Sequence, residues 1–261
     1  RFYADGLVIE SREGCFITRG RLVSNTDAER WRSLFDALLH CHNAKRVRRP
    51  DGHITVTGDP TEVALLEFAI EHGLGHRPPL RRMGELAFDA DRKRMSTLHW
   101  SEGRLIAFTK GAPESVLGLC TNTQIHGEPL PMTADERARL LAQSRAFAEQ
   151  AYRVLAVAMR EVAHQPEHIE VETIEEDLTF LGLVAMMDPP HREVPEAVAK
   201  CQGAGVRVVM ITGDHPLTAL AIARKIGLMA DQTTQQPAGF VPVIEGAQLD
   251  RMSEDHLRQI L

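Results

Sequence analysis

A hydroxyl, an unhindered backbone amide and a carboxylate, all groups that can bind a ligand, stand together at Thr212, Gly213 and Asp214. They follow a β-branched run, residues 206–211, which predicts a strand buried on both faces, and they precede an Ala/Leu/Ile-rich run, residues 217–226, which predicts a helix. In open parallel sheets, ligands bind beyond the carboxyl ends of the strands. We therefore expect a ligand site at the end of this strand.

The elements that would position this site belong to an α/β pattern that begins near residue 177. Residues 179–187 predict a buried strand ending at Asp188, and residues 194–202 predict a helix that crosses back in the right-handed sense to the strand at 206–211. We expect a partial, parallel, Rossmann-like sheet over residues 177–261.

The chain before residue 177 predicts a different, α+β domain with a largely antiparallel sheet flanked by helices. We assign residues 1–176 to it, although the first 25 or so could belong to a linker or to the second domain. A polar stretch from 161 to 177 predicts an exposed connection. The domain is expected to contain, in order, a hairpin, two helices, an antiparallel meander and a long amphipathic helix, at residues 7–18, 27–43, 60–70, 86–109 and 133–150.

Two charged residues stand at marked positions in this first domain. Glu62 follows Asp59 and Pro60 at a helix start, where the helix dipole favours a carboxylate. Lys110 ends the third strand of the meander, where a lysine is usually solvated. Taken alone, both residues have these simple structural explanations.

Composition narrows the functional classes. The chain has 261 residues, a formal net charge of -6 and 5% aromatic residues, so it lacks the basic surface of a nucleic-acid-binding protein. Its four cysteines are widely separated, which predicts neither a disulfide framework nor a zinc ribbon. No apolar stretch reaches the roughly 18 to 20 residues that cross a bilayer, so no membrane-spanning segment is predicted. His40, Cys41 and His42 are adjacent but point in different directions on a helix, so we predict no metal site.

Six motifs in a fixed order resemble those of cation-transporting P-type ATPases, in particular the calcium and sodium/potassium pump branch. They cover both proposed domains. The motifs are the residues 58–62 (Gly-Asp-Pro-Thr-Glu), Phe88 with 91–95 (Asp-Arg-Lys-Arg-Met), 110–114 (Lys-Gly-Ala-Pro-Glu), 153–156 (Arg-Val-Leu-Ala), 188–190 (Asp-Pro-Pro) and 210–219 (Met-Ile-Thr-Gly-Asp-His-Pro-Leu-Thr-Ala).

The resemblance implies a nucleotide-binding domain joined to part of a phosphorylation domain of the haloacid dehalogenase type. Both would be cytoplasmic parts of a membrane pump that couples ATP hydrolysis, through an aspartyl-phosphate, to cation transport. The expected partners are ATP, with Mg²⁺ in the full-length protein, and the remaining domains of the same pump. No nucleic acid is expected.

The resemblance also assigns roles to residues of the first domain. Phe88 would stack on adenine, because an aromatic face accepts a purine. Glu62 would line the pocket, and Lys110, followed by Gly111, would lie at its base. Lys93 and Arg153 would approach the phosphates, whose charge cations offset. Without the motif, Phe88 would be interpreted as a core residue of the meander.

In the second domain, the resemblance places Thr212 and Gly213 on the transferred phosphoryl group, through a hydroxyl and a backbone amide. Asp214 and Asp188 would steady the loops between the domains, with Asp188 near the hinge. Their simpler roles are a helix cap before Pro216 and a turn residue before a proline pair.

Two departures from the family pattern matter. In the family, an Arg usually stands two residues after the Phe. Here that position is Ala90, which removes a charge-assisted contact worth about 1.5 to 3 kcal/mol when it is desolvated. We therefore expect weak nucleotide binding unless Arg92 or Arg94 substitutes. His191 stands where Arg commonly follows Asp-Pro-Pro, which alters the charge of that loop.

The Asp-Lys-Thr-Gly-Thr and Thr-Gly-Asp-Gly-x-Asn-Asp motifs of the family, which carry the phosphorylated Asp and the magnesium ligands, do not occur in these residues. We expect the isolated chain to be inactive. Two alternatives stay open: a nucleotide-sensing module, and a dehalogenase-type phosphohydrolase. The latter needs an Asp after its first strand, and the only Asp near the beginning, Asp5, precedes one.

Overall fold

The chain folds into two compact units. The computed structural model describes residues 1–12, 15–19, 21–23, 29–48, 54–72, 80–163, 169–187, 191, 193–213, 216–229, 243–249, 251–253 and 255. The larger unit comprises residues 1–141 and 154–185, and the smaller unit comprises residues 142–153 and 186–261. The division predicted after residue 176 concerns functional domains and stays a prediction.

Thirteen strands are described, of which eleven share one sheet and two form a separate hairpin. In chain order the strands are β1 (Phe2–Ala4), β2 (Leu7–Arg12), β3 (Cys15–Thr18), β4 (Arg21–Leu22), β5 (Lys45–Arg48), β6 (Ile54–Thr57), β7 (Arg81–Asp89), β8 (Arg94–Ser101), β9 (Arg104–Gly111), β10 (Cys120–Ile125), β11 (Glu128–Pro131), β12 (Arg153–Val162) and β13 (Leu178–Met186).

Eight α-helices are described, the first preceded by a 3-10 turn at Glu29–Trp31. The helices are α1 (Arg32–His40), α2 (Pro60–Glu71), α3 (Pro113–Leu119), α4 (Ala134–Ala148), α5 (Val171–Ile174), α6 (Val194–Gly203), α7 (Pro216–Lys225) and α8 (Gly246–Leu249).

The large sheet runs in the order β4-β3-β2-β1-β13-β12-β9-β8-β7, with β10 joining β13 and β11. The predicted hairpin and meander are confirmed, since β2 pairs with β3, and β8 pairs with β7 and β9, all antiparallel. The meander turn at Glu102 and Gly103 has φ values of 48° and 85°, a left-handed conformation that glycine adopts without strain. The predicted mixed, largely antiparallel domain is therefore present.

Helices α1 and α2 cover one face of the sheet. The predicted apolar stripe of α1 is confirmed, because Leu34, Phe35 and Leu38 are buried. The ring of Phe2 on β1 packs edge-on against Phe35 at 5.8 Å, a geometry that aromatic rings favour. The predicted start of α2 is also confirmed, since the Asp59 side chain accepts hydrogen bonds from the first-turn amides and Pro60 begins the helix.

The opposite face of the meander carries a smaller apolar core. Leu98 of β8 and Ala107 of β9 are paired neighbours, and both pack with Leu105 and with Ile174 of α5. The interpretation of residues 161–177 as an exposed connection is therefore wrong at its end, where Ile174 and Glu175 are buried. Ile174 packs on these apolar residues of the sheet, so this end of the connection folds back onto the sheet face.

The smaller unit differs from its prediction. Helices α6 and α7 are present, but residues 206–211 form no strand, and Val206, Val209 and Ile211 are exposed. A buried parallel strand needs hydrogen-bonded neighbours. The predicted neighbour, β13, has β1, β12 and β10 as partners instead. The predicted strand at 206–211 and its crossover are wrong in this structure, and a partial parallel sheet is not shown.

Candidate functional site

Lys110 and Glu62 form a nearly buried ion pair on the α1 and α2 face of the sheet. The Lys110 Nζ donates to Glu62 Oε1 at 2.8 Å, and the backbone amide of Asn43 donates to Glu62 Oε2 at 2.9 Å. Only 7% and 14% of the two side chains are exposed. The expectation of a solvated lysine is therefore wrong. The register of the meander places Lys110 at a sheet position that α2 covers, and Glu62 fixes the direction of its ammonium group.

Gly111 lies where two backbones approach closely. It pairs with Arg94 across β9 and β8, and a Cβ atom added to Gly111 would lie 2.5 Å from the Arg94 Cβ and 2.7 Å from the Arg94 Cα. Next to it, the Ala112 amide donates to the Lys93 carbonyl oxygen at 2.9 Å. Glycine at this position brings the end of β9 against the turn that holds Lys93.

The turn between β7 and β8 is shaped by Asp89. Its Oδ1 atom accepts hydrogen bonds from the amides of Asp91 at 3.1 Å and Arg92 at 2.8 Å, which is the local bonding that aspartate offers in turns. Lys93 closes the turn with a left-handed φ of 56°, and its side chain is exposed. This places a cation at the rim of the same strand ends as Lys110.

Phe88 is exposed to 64%, so its interpretation as a core residue is wrong. Leu86 lies opposite Ser96, and Asp89 lies opposite Arg94. The two residues between them on β7, Ala87 and Phe88, therefore face the single residue Met95. From this β-bulge we infer that Phe88 lies on the sheet face opposite Ser96.

Met95 in turn lies opposite Lys110. We name Phe88, Met95 and Lys110 the cross-strand row, since they follow one another across β7, β8 and β9. Met95 was not among the predicted site residues. Its place in the motif after Lys93 was the available signal, and its buried position supplies an apolar floor beside the exposed ring.

Neither Arg92 nor Arg94 is free to replace the arginine missing at Ala90. Arg92 Nη1 donates to both carboxylate oxygens of Glu175, at 2.7 and 2.8 Å, and Arg94 Nε donates to Glu175 at 2.7 Å. Glu175 lies on the opposite face of the sheet from Lys110. Neither guanidinium is therefore available to take the place of the arginine that the resemblance led us to expect at position 90.

The environment of Glu175 keeps its carboxylate ionised. Burial, the largest single influence, raises the pKa, but hydrogen bonds from Arg92, Ser96 and Arg94 together outweigh it, so the pKa lies below its usual value. The sequence reasoning did not identify Glu175, because its partners lie about 80 residues earlier in the chain.

The other predicted residues belong to the smaller unit or lie outside the described residues. Arg153 is the exposed first residue of β12 and belongs to the smaller unit. Thr212 and Gly213, in the same unit, are exposed and follow the segment that forms no strand. Asp188 and Asp214 lie outside the described residues. The structure thus brings together Glu62, Phe88, Lys93, Lys110 and Gly111 in the larger unit, and the phosphoryl-binding role expected of Thr212 and Gly213 stays a prediction.

The assembled group has the chemistry of a binding site. It offers an exposed aromatic face, an apolar floor and two cations, the combination that takes up a planar base joined to an anion. Within the described ranges, no three His, Cys, Asp or Glu side chains are grouped as a metal site requires. The helices that can be described are too short or too polar to cross a membrane.

Comparison with known proteins identifies relatives for most of the chain. The family model described as P-type ATPase, cytoplasmic domain N, matches residues 30–193. A calcium-transporting ATPase of Bacillus cereus is 34% identical over 236 residues, covering 89% of this chain and 25% of the relative.

Further relatives extend the same pattern. A calcium-transporting ATPase of Listeria monocytogenes is 39% identical over 204 residues, covering 77% of this chain and 22% of the relative. The alpha chain 2 of a potassium-transporting ATPase of Cavia porcellus is 32% identical over 267 residues, covering 88% and 26%. The chain thus spans about a quarter of the length of these relatives.

Proposed function

The chain belongs to the P-type ATPase family, as its cytoplasmic domain N, and on this premise we propose that the cross-strand row binds ATP. Phe88 stacks on the adenine ring above Met95, Lys110 lies at the base of the pocket, and Lys93 approaches the phosphates. The observation that carries the proposal is the 64% exposure of Phe88, at a bulge whose register places it across β8 from Lys110. An exposed aromatic ring loses the favourable free energy of burying its apolar surface, and stacking on a ligand would recover this free energy.

The charges of the site support weak binding. Lys110 is already paired with Glu62, and Arg92 and Arg94 are held by Glu175. Lys93 is therefore the exposed cation of the turn that is available to a triphosphate, and we propose Arg153 as the second cation that approaches the phosphates. We expect calorimetric titration to give an affinity for ATP weaker than about micromolar, as befits the loss of a charge-assisted contact at Ala90.

We propose further that the whole protein is a membrane pump in which this chain lies on the cytoplasmic side. ATP hydrolysis, by way of an aspartyl-phosphate, would drive cation transport, with Mg²⁺ accompanying the nucleotide. Residues 177–261 would contribute to a phosphorylation domain of the haloacid dehalogenase type. There Thr212 and Gly213 would bind the phosphoryl group, and Asp214 and Asp188 would steady the loops.

Replacing Phe88 by Ala is expected to weaken ATP binding about tenfold, because stacking of a base on an aromatic ring contributes about 1 to 3 kcal/mol. The measurement is an NMR titration of the chain of 261 residues with ATP, which reaches millimolar concentrations. The folded state should be unaffected, since the ring is mostly exposed.

Trp100→Ala is the matched control. Trp100 is another partly exposed aromatic residue, with 44% exposure, but it lies near the far end of β8 from Met95. We expect this variant to bind ATP like the unchanged chain. Equal affinities of the Phe88→Ala variant and the unchanged chain would refute the proposed site.

The isolated chain is expected neither to hydrolyse ATP nor to form a phosphoenzyme, because the phosphorylation motif is not among its residues. The measurement is incubation with γ-labelled ATP and Mg²⁺, followed by acid quenching and counting of the precipitated protein. Labelling of Asp188 or Asp214 above the background of a boiled sample would contradict this expectation.

A further inference from the structure

Glu175 is a buried carboxylate that connects the far side of the sheet to the turn carrying Phe88 and Lys93. Its side chain has no exposed surface, and it accepts hydrogen bonds from Arg92, Arg94 and Ser96. The Ser96 hydroxyl also contacts the Thr109 hydroxyl at 2.8 Å, which extends the network to β9. A carboxylate with this many donors holds them in fixed positions.

The network reaches Phe88 through Arg92. While Nη1 of Arg92 binds Glu175, its Nη2 atom donates to the carbonyl oxygen of Ala87 at 2.7 Å. Ala87 and Phe88 are the two residues of the bulge that faces Met95. Because the Arg92 guanidinium is planar and rigid, fixing one of its edges on Glu175 fixes the backbone of the bulge, and with it the direction of the Phe88 ring.

The same network reaches Lys93. The carbonyl oxygen of Arg92, which precedes it, accepts from the Ser115 hydroxyl at 2.6 Å and from Arg94 Nη1 at 3.2 Å. Arg94 Nη1 also donates to that hydroxyl at 2.9 Å, so the three residues close a ring. Lys93 is thereby held in its left-handed conformation between two anchored arginines.

We propose that Glu175 is a positioning residue for nucleotide binding, which orients Phe88 and Lys93 from the opposite face of the sheet through Arg92 and Arg94. This inference rests on the proposed function of the cross-strand row. Glu175 itself does not touch the nucleotide. Without its carboxylate, Arg92 is released from Ala87, and the ring of Phe88 samples directions that do not stack on adenine.

The test is a double-mutant cycle between Glu175→Gln and Phe88→Ala, read as ATP affinity by NMR titration. Glutamine keeps the size of the side chain and can accept from Ser96, but it cannot bind both arginines as an anion. We expect Glu175→Gln to weaken ATP binding about tenfold, within the range of couplings in one hydrogen-bond network. In the Phe88→Ala background the loss should be clearly smaller, because only the orientation of Lys93 is then left to disturb.

The cycle separates positioning from a general effect on the fold. An equal loss in both backgrounds, or no loss in the unchanged background, would overturn the inference. Glu176→Gln is the matched control, since Glu176 is the next residue and its side chain is 56% exposed beside Arg160. It should leave the affinity unchanged. Failure of Phe88→Ala to weaken binding would instead refute the proposed function, and this inference with it.

Arg92→Lys provides a second route if the Glu175 variant does not fold. Lysine retains a cation for Glu175 but has a single ammonium group, which cannot reach Glu175 and Ala87 with the planar geometry of arginine. We expect it also to weaken ATP binding, with an effect that is again smaller in the Phe88→Ala background. Affinity equal to that of the unchanged chain would overturn the inference.

Discussion

Replacing Gly111 by Ala is expected to lower the free energy of unfolding by about 3 kcal/mol, because the new methyl group overlaps backbone rather than a movable side chain. The Cβ atom would lie 2.5 to 2.7 Å from Arg94 and closer still to the carbonyl oxygen of Lys93. Relief requires β8 and β9 to separate at the strand end that carries Lys110. Urea denaturation followed by circular dichroism measures the change.

Gly118→Ala is the matched control for this prediction. Gly118 lies in α3, only seven residues further on, and a Cβ atom there meets nothing within 4 Å. Alanine at this helical position should leave the free energy of unfolding unchanged or raise it by up to about 1 kcal/mol. If the Gly111→Ala variant had the same free energy of unfolding as Gly118→Ala, the prediction would be contradicted, because β8 and β9 would have accommodated the methyl group without loss of stability.

Acidification is expected to destabilise the larger unit before its carboxylates are protonated. Burial, together with the neighbouring His40 and Arg82, lowers the pKa of His99 from 6.5 to about 4. The unfolded chain therefore binds a proton that the folded chain excludes, and stability falls as the pH drops from about 6.5 towards 4. One unit of pKa is about 1.4 kcal/mol, so the total loss approaches about 3 kcal/mol.

His40 acts in the same direction as His99. Its ring lies 5.4 Å from the ring of His99, and burial lowers its pKa as well. Its Nε2 atom accepts the amide of Leu80 while Nδ1 bonds the carbonyl oxygen of Asp36, an arrangement that requires the neutral ring. Protonation of either ring would break this arrangement or place a charge in the core.

Urea denaturation at about pH 7.5 and about pH 5 tests this prediction, with an expected loss of about 2 kcal/mol from His99 alone. His99→Phe should reduce the loss, whereas His191→Gln, at an exposed position, should not. Glu175 has a lowered pKa, so its stabilising contribution is lost only below about pH 4.5, outside this window. A pH dependence unchanged in His99→Phe would contradict the assignment.

The sequence predicted local elements better than distant partners. Asp59 and Pro60 mark the start of α2, and alternating apolar residues with short polar turns mark the meander, because the causes lie within a few residues. The run 206–211 also had the local pattern of a buried strand, but a strand exists only beside a neighbour. The neighbour expected for it, β13, pairs elsewhere.

The site was predicted in part for the same reason. Motif order identified Glu62, Phe88, Lys93 and Lys110, which lie at marked points of their own elements. The partners of these residues were not predictable, because the Lys110 to Glu62 pair spans 48 positions and the Arg92 to Glu175 pair spans 83. Glu175 lies in a stretch rich in glutamate, and only its burial in the folded structure distinguishes it from the neighbouring glutamates.

The cross-strand row also sets a fixed distance between the backbones of its two end residues. Neighbouring strands lie about 4.8 Å apart, so the backbones of Phe88 and Lys110, two strands apart, are separated by roughly 10 Å. Backbone hydrogen bonds set this length, and substitutions that leave the strand pairing intact do not alter it. We therefore expect a molecule bound along the row to match this fixed distance between the backbones of Phe88 and Lys110.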